Sequence, residues 1–177
     1  MRIILTLLLA ACTQIFAATP PQIKSVGTHA ICTGTYEDAL RSTGITTLSA
    51  EAIQQIPALQ DAQLTGCTLF VPTDDAWKKV LIGVENNSPE KKITAAAKIL
   101  HYSIVPGKGL TRTQLLKKAV VQSIMGKFIV TTSTHNPDGT VTDTVRIKPL
   151  TTTATIVHTI FCPKGVIHII DTVLPTN

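Results

Sequence analysis

The pattern of apolar and polar positions changes character along this chain. Ile3 to Ala11 is an unbroken apolar run after a single basic residue, Arg2. Between residues 35 and 118 the apolar positions fall mostly into short stripes at helical spacing, and from Ala119 onward β-branched residues dominate. Thr35-Tyr36-Glu37-Asp38 reads as a capping box opening a short helix that Gly44 closes. Ser49 is a candidate cap for a second helix running through Ala50 to Ile56, where Pro57 interrupts the pattern. Cys67 to Val71, apolar and bounded by turn residues, predicts a short buried strand. Thr73 then caps a helix carrying Asp74 and Asp75 at its positive end and Trp77 beyond them. Ser88-Pro89-Glu90 opens a longer helix whose stripe is Ile93, Ala96, Ala97, Leu100 and Ile104, stopped by Pro106-Gly107. Thr111-Arg112-Thr113-Gln114 caps a further helix bearing Leu115 and Leu116.

Strands are predicted over 120–124, 127–132 and 141–148, with Asn136-Pro137-Asp138-Gly139 as a strong turn between two of them. A last pair, 154–161 and 166–173, is joined through Pro163-Lys164-Gly165. Helices first and a sheet afterwards make an α+β domain. With 177 residues and 44% apolar content, one domain can bury a substantial core.

The first apolar run has signal-peptide length and is too short to span a membrane as a helix. Residues 1–17 are therefore expected to be a signal peptide cleaved after Ala17, residues 18–30 a flexible N-terminal segment, and residues 31–177 the domain. A second reading takes Leu9-Ala10-Ala11-Cys12 as a lipobox, with Cys12 acylated and the protein membrane-tethered. Either reading leaves Cys32, Cys67 and Cys162 in the domain, and an exported protein can pair two of them in three ways. No CxxC occurs, so neither a redox motif nor a zinc knuckle is expected.

Charge matters through its distribution. Between Lys91 and Pro137 there are eight basic residues and no acidic ones. Lys108, Arg112, Lys117, Lys118 and Lys127 from this stretch are candidates for contact with an anionic polymer. Nucleic acid responds to the same charge, but export argues against it as the natural partner. His168 has His158 and Cys162 as its only prospective co-ligands, at a spacing that matches no usual metal site, so a structural histidine is the expectation. Asn86-Asn87-Ser88 fits a glycosylation acceptor by pattern alone, and Pro89 directly after it argues against its use. Gly-x-Ser-x-Gly, His-Glu-x-x-His and a Gly-rich phosphate loop are all missing, which gives no enzyme class and no cofactor.

Three stretches carry a family resemblance: Thr68-Leu69-Phe70-Val71-Pro72-Thr73-Asp74-Asp75-Ala76-Trp77, Leu100-His101-Tyr102-Ser103-Ile104-Val105-Pro106-Gly107, and Gly165-Val166-Ile167-His168-Ile169-Ile170-Asp171-Thr172-Val173-Leu174-Pro175. In order and spacing they resemble the fasciclin-like domain, over about residues 31–175. The resemblance implies a single β-wedge or sandwich with N-terminal and flanking helices, in which the aromatic Tyr36 packs inward. It marks Phe70, Pro72, Thr73, Trp77, Gly165, His168 and Asp171 as structural signature residues. It also places partner contact at Tyr102, Ile104, Val105, Pro106 and Gly107. The chain departs from the family at Ser103, where a Tyr-His pair linked with integrin contact is usual, and at Thr159 and Lys164, where Asp and Asn are usual. The implied function is a non-enzymatic extracellular adhesion or surface-binding module, secreted, periplasmic or at the cell surface, whose partner is a polysaccharide or protein. The alternatives are a structural cell-envelope protein that binds another protein, or a small hydrolase or metal-binding protein.

Overall fold

A computed structural model describes residues 24–26, 29–56, 66–81, 88–148 and 151–175. The leader with Cys12, together with Pro57, Asn86 and Asn87, lies outside the described residues.

The first two-thirds of the chain supplies helices α1 (Tyr36–Thr43), α2 (Thr47–Ile53), α3 (Asp74–Val80), α4 (Pro89–His101) and α5 (Arg112–Lys118). The capping boxes at Thr35 and Thr111 form as read, each cap hydroxyl accepting from the backbone N–H three residues on. Gly44 closes α1 with φ +69°, and Thr73 caps α3 by accepting from the Ala76 N–H.

Two expectations are corrected. Ser49 does not cap α2 but lies inside it, donating its hydroxyl to the Pro72 carbonyl and accepting the Trp77 indole N–H at 2.8 Å. The start of α2 is held instead by the Asp74 carboxylate, which accepts from the Thr47 and Leu48 N–H groups at 3.0 Å each. A cap supplied from across the fold leaves no local sequence signal. Ile104, placed by its spacing on the α4 stripe, instead begins a strand. The Tyr102 and Ser103 N–H groups tighten onto Ile99 and Leu100, and the β-branched pair Ile104-Val105 turns away to join the sheet.

The strands are β1 (Lys24–Val26), β2 (His29–Ile31), β3 (Cys67–Pro72), β4 (Ile104–Pro106), β5 (Val120–Gln122), β6 (Phe128–His135), β7 (Val141–Lys148), β8 (Ala154–Cys162) and β9 (Gly165–Ile170). Their order is β4-β3-β9-β8-β7-β6-β5, with β1 on β2 and β2 beside β8. Strand β8 serves two layers. Its first residues, Ala154 and Thr155, pair with β7, and from Ile156 onward it pairs with β9, with an irregularity between Ile156 and His158. Past that point the side of β8 opposite β9 is taken by β2, running parallel.

Strands β3 and β9 are parallel and buried on both faces, so they read as continuous apolar runs rather than alternating ones. Leu69, Val71, Ile167 and Ile169 face α1–α4, joining Leu40, Trp77 and Leu100 in one core. Phe70 and Ile170 face the other way, into a second core with Leu115, Ile129, Val145 and Ile147 inside the wedge. Small residues, Ala50 and Ala52 on α2 and Ala96 and Ala97 on α4, are fully or nearly buried and let these two packed helices approach closely.

Candidate functional site

The two ends of the strand order, β4 and β5, come together at the mouth of the wedge, where the Ile124 N–H donates to the Ile104 carbonyl at 2.7 Å. Beside this closure an open groove of about 780 Å³ runs between β4, the loop after it, α5 and β5. Val105, Leu110 and Val121 belong to the wedge core and form its apolar floor. Lys108, Lys117 and Lys118, all exposed, stand around it, and no carboxylate lines it among the described residues.

Local chemistry explains why the lysines meet. Helix α5 ends at Ala119, whose φ of +56° reverses the chain at once into β5, so Lys117 and Lys118 remain at the groove. Lys108 arrives on the Gly107-Lys108-Gly109 loop, which crosses the start of β9. A Cβ on Gly109 would lie 2.7 Å from the Val166 nitrogen, and one on Gly66 would lie 2.6 Å from the Gly107 carbonyl. Only glycine permits that crossing.

The loop is pinned from below by Thr68 and by the signature residue His168. Thr68 accepts the Leu110 N–H at 2.8 Å. His168, fully buried, donates from Nε2 to the Leu110 carbonyl at 2.9 Å, which leaves Nδ1 to accept the Thr159 hydroxyl at 3.0 Å. Its ring also stacks on Phe70, with centroids 5.5 Å apart. Burial dominates its titration and pulls its pKa down to about 4, so the ring is neutral at physiological pH. Neither His158 nor Cys162 is among these partners. Among the described residues no cluster of His, Cys, Asp or Glu has a metal-holding arrangement.

The remaining residues singled out above are dispersed. Arg112 donates to Asp143 at 2.6 Å, and Asp143, nearly buried, also accepts the Ser133 hydroxyl at 2.8 Å. Lys127 lies on the β5–β6 turn, outside the groove lining. Tyr102 is half-buried against the wedge core, Ile104 and Val105 are buried, and only Pro106 and Gly107 of that segment are exposed, directly before Lys108. Pro72 is buried at the end of β3, and Trp77 is buried in the helix-side layer. Asp171 accepts the Thr155 N–H at 2.7 Å where β8 changes layers, and Gly165 lets β9 start against Cys67 and Tyr36. The floor residue Leu110 and the pinning residue Thr68 carried no functional signal in the sequence. Each is an ordinary residue made relevant by a long-range contact.

A family model for the fasciclin domain matches residues 38–176. The chain belongs to the fasciclin-domain family. Its fold is similar to a solved FAS1 domain pair from the insect cell adhesion molecule fasciclin I, with a TM-score of 0.54 and 22% identity. That match covers 72% of this chain and 43% of the domain pair. No curated protein matches the chain. Fasciclin domains are adhesion-related extracellular modules.

Proposed function

We propose that this fasciclin domain is a non-enzymatic adhesion module, exported to the cell surface or beyond, that holds an anionic polysaccharide in the groove between α5 and β5. The supporting observation is the convergence of Lys108, Lys117 and Lys118 on one apolar-floored groove, where the exposed Pro106-Gly107 end of the family's contact segment also arrives. Sugar rings present apolar C–H faces to Val105 and Val121, while uronate, sulfate or phosphate groups reach the ammonium ends. Attraction acts over about 8 Å at physiological salt and hands over to short Lys–oxyanion hydrogen bonds. Arg112 contributes no free charge, being committed to Asp143. A leader ending at Ala17, or a lipid anchor on Cys12, is the export route this reading uses.

The test is binding of the purified chain to sulfated, uronic and neutral polysaccharides at low and high salt, beside Lys117→Glu with Lys118→Glu. Selective binding to the anionic chains, weakened by salt and lost in the double variant, is the expected result. Equal binding by the double variant, or no polysaccharide binding at all, overturns the reading and favours a protein partner in the same groove.

A further inference from the structure

Three cysteines gather at the opposite side of the β8–β9 turn, and their register distinguishes them. Strands β2 and β8 pair in parallel as Ala30 with Ile160 and Ile31 with Phe161, and the Cys32 N–H donates to the Phe161 carbonyl at 2.8 Å. The next position in that register sets Cys32 beside Cys162. The Cys32 thiol itself donates to the Thr35 carbonyl at 3.5 Å and accepts the Gly34 N–H at 3.3 Å, which holds it at the end of β2. Cys162 in turn pairs across β8–β9 with Gly165, and Gly165 pairs across β9–β3 with Cys67. Cys67 is thus two strands from Cys162, roughly 9–10 Å between Cα atoms at ordinary strand spacing. A disulfide spans at most about 7 Å.

Tyr36 reinforces that separation. Its hydroxyl donates to the Lys164 carbonyl at 2.5 Å and accepts the Cys67 thiol at 3.2 Å. It also occupies the space a Gly165 side chain would need, since a Cβ there would lie 2.6 Å from the hydroxyl. The Cys67 thiol is therefore fully buried, held by a phenol, and blocked from the other pair. Cys162 is partly exposed and lines a small cleft with Gly34 and Lys164, which gives a reagent access. In the structure all three are thiols.

We propose that Cys32 and Cys162 are a disulfide-forming pair that bonds β2 to β8 in an oxidising compartment, with Cys67 kept as a buried free thiol. The oxidant is a disulfide, either a small-molecule one or that of a thiol oxidoreductase. The Cys162 thiolate attacks one oxidant sulfur, forming a mixed disulfide and releasing one thiol. The Cys32 thiolate then attacks the Cys162 sulfur and releases the second. Two protons and two electrons leave the pair, and the oxidant's S–S bond becomes two S–H bonds.

The test treats the full chain with oxidised glutathione, alkylates remaining thiols after unfolding, and maps peptides without reduction. The expected species joins the Cys32 and Cys162 peptides, with Cys67 alkylated. Cys67→Ser should retain that species, and dithiothreitol should lower the Tm of the oxidised protein by roughly 10 °C. Cys162→Ser should remove the reductant's effect. Should Cys162→Ser fail to fold, the wild-type peptide map and its reductant-dependent Tm decide alone. A Cys32–Cys67 or Cys67–Cys162 species, or full alkylation of Cys32 and Cys162 after oxidation, overturns the proposal.

Discussion

On one face of the β3–β9 pair, Leu69, Val71, Ile167 and Ile169 meet Leu40, Trp77 and Leu100 of the helical layer. On the other, the same two strands present Thr68, Phe70, His168 and Ile170 to the wedge. The helical face is mostly apolar, its polar contacts being those of Ser49 with Trp77, Tyr36 with Cys67, Thr46 with the Leu40 carbonyl and the helix caps. The wedge face buries an imidazole, two threonine hydroxyls and a carboxylate, each with a named partner. Apolar packing suffices where a surface only has to close. Hydrogen bonds of fixed length and direction appear where the fold has to hold a particular loop at a particular height, and the wedge face holds the groove.

The largest expected effect attacks the helical face. Trp77→Ala removes a fully buried indole and its hydrogen bond to the Ser49 hydroxyl, at a cost of about 3–5 kcal/mol. Thermal unfolding should show a Tm drop of roughly 10 °C or more. An effect below about 1 kcal/mol would mean that this face tolerates a void the packing does not allow.

The wedge face should respond to pH where the helical face does not. His168 has a folded pKa of about 4, below its unfolded value near 6.5. Above pH 6.5 the ring is neutral in both states. As pH falls from 6.5 toward 4 only the unfolded chain takes up the proton, so stability is lost over that window, by up to about 3 kcal/mol. Denaturant melts at intervals across this range should show that slope, and His168→Gln should flatten it while lowering stability throughout.

A smaller effect is expected at the polar pair flanking the groove. Arg112→Ala leaves Asp143 nearly buried beside Ser133 alone, costing about 2 kcal/mol once the partial exposure of Arg112 is allowed for. Replacing both Arg112 and Asp143 with Leu should cost less than the single change, as a double-mutant cycle in urea would show. Smallest of all, Lys117→Glu with Lys118→Glu should change unfolding free energy by under about 0.5 kcal/mol. That separates a surface used for binding from one used for folding.

Much of this architecture was legible from short-range chemistry. Thr35 and Thr111 form their capping boxes, Thr73 caps α3, and the Asn136–Gly139 turn joins β6 to β7. Misreadings arose where a distant residue decided the local outcome. Asp74 starts α2 from 26 and 27 residues away in sequence, and β3 draws Ile104 out of a helical stripe. The groove shows the same limit. Five basic residues in one stretch have equal standing as sequence. Folding turns Arg112 onto Asp143, 31 residues away, puts Lys127 on another turn, and leaves three lysines together. Charge counts are additive along a chain, whereas direction is set by contacts the chain does not encode locally.

Strand β2 also has a mechanical meaning. The β1–β2 hairpin both begins and ends beside Cys32, because Lys24 pairs with Ile31. Tension applied through the residues before Lys24 reaches the fold there, and peels β1 from β2 one pair at a time. The hydrogen bonds of a three-residue strand resist such unzipping weakly. With Cys32 bonded to Cys162, the same tension passes into β8 and from there across the β9–β3 pair at the centre of the sheet. A few residues at the edge of the sheet would then decide whether a pull on the domain frays it or is borne by its most deeply buried strands.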